Sequence, residues 1–138
     1  MAEVHESGEL GGSVDEVWKL VSDFGGLIEA MGVPVELSGP EGIGQTRTIT
    51  IGPEPKVERL EELDHDARRL VYSIESGPLP VSNYLATMQL SAIDDGRTKI
   101  DWSSTFEPAA GFAEADAINV VEGIYKGGIA GLQGRFGA

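Results

Sequence analysis

The side chains best suited to chemistry are an arginine, a glutamate and a tyrosine in the central part of the chain: Arg47, Glu58 and Tyr84. If they face an apolar interior, Arg47 could hold a carboxylate or an enolate, and Glu58 could act as a general base. Tyr84 could donate a hydrogen bond to a developing oxyanion. The structural alternative is an Arg47–Glu58 ion pair across adjacent strands, capped by Tyr84. Ser104 and Tyr125 are secondary candidates.

The chain lacks the residues that several other kinds of site require. The chain contains no cysteine, which excludes disulfides, thiol catalysis and thiolate metal sites. Its two histidines, His5 and His65, are too few and too far apart in the sequence to indicate a metal site, so we expect no metal and no cofactor. The glycine-rich stretch GPEGIG precedes a predicted strand rather than a helix, so it does not indicate a phosphate-binding loop.

The composition limits the class of protein. Of 138 residues, 41% are hydrophobic and 24% are charged, which is typical of a globular protein, and we predict a single domain over residues 1–138. The formal net charge is -13. Because so acidic a surface repels phosphate backbones and anionic lipid headgroups, we expect no nucleic acid partner. We expect a monomer or a weak homodimer.

The first ten residues, MAEVHESGEL, lack the basic and apolar regions of a signal peptide. No apolar run approaches the roughly 20 residues of a membrane span, so we expect no membrane insertion. The absence of cysteine fits a reducing compartment. These features together predict a cytoplasmic protein.

The elements that must position the candidate residues follow from the hydrophobic pattern. A helix is predicted from Ser13, because Ser13 and Glu16 form a capping box and an apolar face recurs at helical spacing. A weak strand over 3–10 precedes it, and a short helix near Leu27 to Met31 follows it. The pattern then changes to period two. It predicts strands near 34–38, 44–51, 56–64, 69–76, 81–93 and 98–107.

The final segment, GFAEADAINVVEGIYKGGIAGLQGRF, has the period of an amphipathic helix. Its apolar face comprises Ala117, Ile118, Val121, Ile124, Tyr125, Gly128, Ile129 and Leu132. The glycines of this helix have two interpretations: close packing or a frayed C-terminal end, which we favour, or room for a bound guest at Gly128. One sheet that must bury a face, together with one long helix, predicts an antiparallel sheet curled around that helix.

Several motifs together resemble a known family. The stretches SVDEVWKLVSDFGGL, GIGQTRTITIG, VERLEELDHDARRLVYSIES and TKIDWSSTFEP, followed by the glycine-dotted helix, resemble the polyketide cyclase/dehydrase-like branch of the SRPBCC (START-like, helix-grip) superfamily. The resemblance covers nearly the whole chain. It implies an α+β helix-grip fold: a seven-stranded antiparallel sheet wrapped around a long C-terminal helix, two short helices after the first strand, and a large apolar cavity. Residues 44–90 also resemble plant abscisic-acid receptors.

The receptor resemblance bears on a loop and on three residues. It implies that the connection Gly52-Pro53-Glu54-Pro55 is a mobile flap over the cavity; the alternative is a stiff surface connection. In the receptors, the residues that match Tyr84 and Glu58 reach the ligand, the latter through water, and Arg47 matches an arginine of their corresponding strand. The flap and the loop SGPLPVSNY differ from the receptor sequences, so the plant hormone is not the expected ligand.

Strand alternation predicts which side chains line such a cavity. One inward set runs from Ile100 to Phe106, a second from Tyr84 to Leu90, and a third includes Leu70, Tyr72 and Ile74. The predicted ligand-binding residues are Arg47, Glu58, Tyr72, Tyr84, Met88, Trp102, Ser104, Phe106, Val121, Tyr125 and Gly128. The alternative for each apolar residue is a core position with no void beside it.

Three functions fit these features. The first is binding of a hydrophobic, aromatic or polyketide-like small molecule in the cavity. The second is an enzyme of the cyclase/dehydrase kind, which promotes aldol cyclisation and dehydration of a poly-β-ketone mainly by positioning it. The third is a protein-interaction module, which an exposed apolar patch would favour.

Overall fold

A computed structural model describes residues 1–50 and 52–138, and these form an α+β fold. The strands are β1 (Ala2–Gly11), β2 (Val35–Ser38), β3 (Thr46–Thr50), β4 (Pro55–Asp64), β5 (Arg69–Ser76), β6 (Val81–Asp94) and β7 (Arg97–Pro108). The helices are α1 (Val14–Val21), α2 (Gly26–Ala30) and α3 (Glu114–Phe136). The predicted fold class, a helix-grip fold with two short helices after the first strand, is confirmed.

The strands form one antiparallel sheet in the order β1-β7-β6-β5-β4-β3-β2. From β2 to β7 each strand pairs with the next one in sequence, and β1 pairs with β7. Helices α1 and α2 therefore carry the chain from one edge of the sheet to the other. Among the described residues, no helix is long and apolar enough to cross a membrane.

The predicted elements occur with small shifts in their ends. Ser13 caps α1 as predicted, since its hydroxyl accepts a hydrogen bond from the Glu16 backbone N–H at 3.2 Å, and Glu16 Oε1 accepts one from that hydroxyl at 3.2 Å. The predicted strand 44–51 is shorter, Thr46–Thr50, and its predicted last residue, Ile51, lies outside the described residues. The predicted short helix begins one residue earlier, at Gly26.

Helix α3 packs on the inner face of the sheet through one buried stripe. Its buried residues are Ala117, Val121, Tyr125, Ile129 and Leu132. The C-terminal end of the helix is tied to β1, because the Gly11 N–H donates a hydrogen bond to the Gly137 carbonyl at 2.8 Å. The inner face of the sheet and α3 thus share one core, with α1 and α2 beside it.

A bulge in β6 aims Tyr84 at this core. The register of β6 against β7 shifts between Ser82 and Leu85, and Asn83 adopts a positive φ of 50°. Asparagine tolerates this left-handed conformation better than most residues do. The extra residue leaves Tyr84 buried and Leu85 exposed, so the inward set that begins at Tyr84 keeps its phase along the strand.

Candidate ligand cavity

A cavity of about 310 Å³ lies between the sheet, α2 and α3. The sheet contributes Arg47, Ile49, Lys56, Glu58, Tyr72, Tyr84, Met88 and Trp102. The opposite wall is apolar and comes from α2 and the segment after it, through Leu27, Ile28, Met31 and Val33. Leu79, from the β5–β6 connection, and Ile124 of α3 complete the apolar part, with Gly123, Gly127 and Gly128.

Three charged side chains form one polar corner of this cavity: Arg47, Lys56 and Glu58. The Arg47 Nε–H donates to Glu58 Oε1 at 2.8 Å, and Lys56 Nζ lies 3.2 Å from Glu58 Oε2. Both carboxylate oxygens therefore face a cation. Arg47 and Glu58 are buried, whereas the Lys56 side chain is 18% exposed.

Arg47 is held from several sides. Besides Glu58, its Nη1 donates to the Phe24 carbonyl at 2.9 Å. Its guanidinium carbon lies 4.0 Å from the centroid of the Phe24 ring and 5.1 Å from that of Tyr72. A buried guanidinium is stable only when it is paired and hydrogen-bonded, and these contacts meet that need. The Arg47–Glu58 pair is thus part of the fold as well as of the cavity wall.

The strand register explains how the polar corner forms. Arg47 of β3 is directly opposite Glu58 of β4, and Ile49 is directly opposite Lys56. Because residues two apart on a strand share a face, all four side chains line the cavity. Gly77 fits closely against Lys56: a Cβ at residue 77 would lie 3.1 Å from Lys56 Cγ and 3.2 Å from its Cα.

Four aromatic residues form a hydrogen-bonded cluster at the far side of the cavity: Tyr72, Tyr84, Trp102 and Tyr125. The Trp102 indole N–H donates to the Tyr72 hydroxyl at 3.1 Å. The Tyr72 and Tyr84 hydroxyls lie 3.5 Å apart, and the Tyr84 hydroxyl is also hydrogen-bonded to that of Tyr125. The rings of Trp102 and Tyr125 stack with centroids 4.4 Å apart.

These tyrosines are neutral over the physiological pH range. Burial raises the pKa of Tyr125 to about 12, and it raises the pKa values of Tyr72 and Tyr84 well above their ordinary value. The cluster can therefore offer hydroxyl donors and acceptors, but not a phenolate base. Tyr72 and Tyr84 line the cavity and could present hydroxyls to a guest.

The structure brings seven of the eleven predicted ligand-binding residues to the cavity. They are Arg47, Glu58, Tyr72, Tyr84, Met88, Trp102 and Gly128. The other four, Ser104, Phe106, Val121 and Tyr125, are buried in the core but are not part of the cavity wall. That any of the eleven binds a ligand stays a prediction.

Ser104 is a buried polar group outside the cavity wall. Its hydroxyl lies near enough to Tyr125 to lower the pKa of that tyrosine, against the larger effect of burial. Even so, among the described residues the Ser104 hydroxyl has no partner with ordinary hydrogen-bond geometry. Ser104 therefore lies in the buried core and not on the cavity wall.

The glycines of α3 that line the cavity have two kinds of surroundings. A Cβ at Gly128 would overlap the Trp102 ring, so Gly128 allows the close packing that we favoured. At Gly123 and Gly127 a Cβ would meet nothing within 4 Å, and both residues line the cavity. Gly123 and Gly127 are also exposed, so they lie at the edge of the cavity, and neither is among the predicted ligand-binding residues.

Other residues of the cavity wall were also missed. Ile49 and Lys56 could have been found, because each lies two residues from a predicted site residue on the same strand. The α2 wall from Leu27 to Val33 gave no such signal, since α2 has only five residues and the segment after it has no period.

The predicted flap lies beside the cavity. Its flanking residues Ile49 and Lys56 line the cavity, whereas Pro53 and Glu54 are exposed and are not part of the wall. Gly52 has a φ of 78°, a conformation that favours glycine. Motion of this connection stays a prediction. No group of three or more His, Cys, Asp and Glu side chains in residues 1–50 and 52–138 is placed to hold a metal ion.

A sheet gripping a C-terminal helix, with an apolar cavity between them, defines the helix-grip class of proteins. A family profile described as polyketide cyclase/dehydrase and lipid transport matches residues 1–137. The chain belongs to this family, as the sequence motifs predicted. Comparison with curated proteins gave no match.

Solved structures with similar folds come from several sources. A protein named XoxI from Bacillus cereus is 34% identical with a TM-score of 0.87; the match covers 99% of this chain and 96% of that one. An uncharacterised protein from Bacillus thuringiensis is 36% identical with a TM-score of 0.87, covering 98% of each chain. The di-domain ARO/CYC protein BexL, from the BE-7585A biosynthetic pathway, is 20% identical with a TM-score of 0.81. That match covers 96% of this chain and 45% of BexL, and it shows the fold alone.

Proposed function

We propose that this protein binds a hydrophobic, aromatic or polyketide-like small molecule in the cavity between the sheet, α2 and α3. The observation that carries the proposal is the cavity itself: apolar walls that converge on one polar corner and two tyrosine hydroxyls. Small-molecule sites typically combine a mostly apolar lining with a few placed polar groups.

The cavity is large enough to admit a small guest. At about 310 Å³, the cavity is roughly ten times the ~30 Å³ that one water occupies in the liquid. Its volume falls at the lower end of the usual range for ligand pockets, which fits a compact ring system better than a long chain.

The family adds support of a general kind. Its description covers both lipid transport and polyketide cyclase/dehydrase chemistry, and each needs an apolar cavity for the guest. BexL is described as an ARO/CYC protein of a biosynthetic pathway, but at 20% identity this bears on the fold and not on the ligand. The choice of ligand rests on the side chains of this chain.

The test is a thermal-shift screen with a variant that places a larger side chain at the exposed edge of the cavity, away from the core. The library comprises aromatic polyketides, flavonoids, sterols, fatty acids and quinones. Gly127→Leu places a side chain where no atom lies within 4 Å of a new Cβ, at the cavity wall. Gly131→Leu is the matched control, because it has the same open surroundings on the same helix but is not part of the wall.

We expect one chemical class to raise the melting temperature of the wild type and of Gly131→Leu in a dose-dependent way. A ligand at a hundredfold excess over its dissociation constant stabilises the native state by about 2.7 kcal/mol. In Gly127→Leu, and in Tyr84→Ala, this rise should be much smaller. The same ligand-induced rise in Gly127→Leu as in Gly131→Leu would mean that binding occurs elsewhere. No rise with any class would contradict the proposal.

A second candidate function is enzymatic, and Glu58 favours it because a carboxylate on the wall of an apolar cavity could remove a proton from a bound poly-β-ketone. The contacts of Glu58 weigh against it, since both oxygens are already engaged by cations. The discriminating variant is Glu58→Gln, which keeps the shape of the side chain. Loss of turnover with retained binding would support the enzyme; binding with no turnover in the wild type would support a binding protein.

A further inference from the structure

Lys56 differs from the other charged residues of the cavity wall, because its charge is only partly engaged. Among the described lining residues there are two cations, Arg47 and Lys56, and one carboxylate, Glu58. Arg47 is satisfied by Glu58, by the Phe24 carbonyl and by two aromatic rings. Lys56 has one contact with the carboxylate, at 3.2 Å, and its ammonium can form three hydrogen bonds. The polar corner thus carries one uncompensated positive charge.

We infer that the cavity selects molecules with an acidic group, a carboxylate or an ionised phenol, and that Lys56 is the residue that pairs with it. This inference rests on the proposed function, since it names the chemical class of the ligand for the same cavity. The acidic group would lie at the polar corner, and the ring system of the ligand would fill the apolar part between α2 and α3.

The position of Lys56 suits this role. Its side chain is 18% exposed, so its charge is partly removed from water and interacts more strongly with an anion than a surface lysine would. A Cβ at residue 77 would crowd the Lys56 stem, so the glycine there leaves room for this side chain. Its neighbours in sequence are the connection 52–55, so the charge lies where that connection enters β4.

The same contacts argue against a cationic ligand. An amine at the polar corner would have to share Glu58 with Arg47 and Lys56, and it would place a third positive charge beside two others. The chain as a whole is strongly acidic, with a formal net charge of -13, so its overall field does not attract anions. Selection for an acid therefore depends on the local charge at Lys56.

The test uses three probes that share one ring system: naphthoic acid, naphthalenemethanol and naphthylmethylamine. Dissociation constants are measured by calorimetry for the wild type and for Lys56→Met, Lys56→Arg and Lys126→Met. Lys126 is an exposed lysine of α3 and controls for the loss of one charge. In the wild type we expect the acid to bind about tenfold more tightly than the alcohol, which corresponds to one charge-assisted hydrogen bond, and the amine to bind most weakly.

In Lys56→Met the acid should bind no better than the alcohol, whose own affinity should be unchanged. Lys56→Arg and Lys126→Met should keep the preference for the acid. A preference that persists in Lys56→Met would overturn the inference, as would equal binding of acid and alcohol, or tightest binding of the amine, in the wild type. Each of these results leaves the proposed function standing, because the alcohol still binds. If no probe binds and the library screen is also negative, the proposed function fails and the inference fails with it.

Discussion

Gly127 and Gly128 are neighbours on α3, yet they lie in two different regions of the molecule. A Cβ at Gly128 would overlap the Trp102 ring, whereas one at Gly127 would meet nothing within 4 Å. Around Gly128 the aromatic cluster fills the space between helix and sheet. Around Gly127 the helix faces the cavity, whose far wall is provided by α2.

The two regions differ in how their polar groups are satisfied. In the packed region, three buried tyrosines and an indole bond mainly to one another. In the open region, the polar corner consists of formal charges, and one of its cations is partly exposed. The neutral hydroxyl and indole groups satisfy one another by hydrogen bonds, whereas the charged groups of the polar corner can also pair with a charged group of a ligand. Both regions contribute to the cavity wall, so they differ in what they present there: neutral hydroxyl groups from the aromatic cluster and charged groups from the polar corner.

The largest effect is expected at the polar corner. Glu58→Leu leaves the Arg47 guanidinium buried without its carboxylate, so the free energy of unfolding should fall by about 3–5 kcal/mol. Urea denaturation measures this loss. The double variant Arg47→Met/Glu58→Leu removes both charges and should recover much of the stability. If the double variant is as unstable as Glu58→Leu, the ion pair is not what stabilises this corner.

Alkaline pH should lower the free energy of unfolding through the packed region. Tyr125 is neutral in both states below about pH 10; from there to about pH 12 it ionises in the unfolded chain but not in the folded one. Its contribution is thus fully present below pH 10, and about 3 kcal/mol of stability should be lost as the pH rises through 12.

Denaturation curves at a series of alkaline pH values measure this decline, with tyrosinate absorbance as a second signal. In Tyr125→Phe the decline should be shallower by about 1.4 kcal/mol per pH unit. An unchanged slope in that variant would place the cause in other groups.

A methyl group distinguishes the packed region from the open one directly. Gly128→Ala should lower the free energy of unfolding by about 1–3 kcal/mol, because the new Cβ must displace the Trp102 ring. Chemical denaturation and tryptophan fluorescence report the loss and the shift of the ring. A stability equal to that of the wild type would show that Trp102 can move at little cost.

The smallest effect is expected at Gly127, where the same substitution should stabilise the protein. Gly127→Ala should raise the free energy of unfolding by about 1 kcal/mol, since alanine favours a helix and no atom opposes its Cβ. The comparison with Gly128→Ala uses the same denaturation experiment. A loss of stability in Gly127→Ala would mean that the helix and α2 lie closer together there than the structure shows.

Much of the fold could be predicted because its signals are local. The cap at Ser13 and the alternation that aims Tyr72, Tyr84 and Trp102 inward require only neighbouring residues. The Arg47–Glu58 pair could also be anticipated, since adjacent strands place it in register. The prediction was less complete for the cavity wall, because alternation identifies an inner face but not whether the space beside it is filled.

Lys56 and Gly127 show why that second question needs the tertiary structure. Lys56 was overlooked because a lysine on a strand is usually exposed. Alternation places it on the same face as Glu58, but only the tertiary structure shows that this part of the face borders a cavity. Gly127 was overlooked because it lies outside the apolar stripe of α3, about 100° of rotation from Gly128. Whether Gly127 borders a cavity depends on the position of α2, which is distant in sequence.

The amino-acid pattern alone sets the order of the elements, the inner face of each strand, the buried stripe of the long helix and the family of the protein. The packing of the elements sets where the aromatic cluster fills the space under α3, and which side chains, Lys56 among them, border the cavity. Local pattern follows from bonds and neighbours along the chain. A cavity is a volume between elements, and its size depends on how those elements pack.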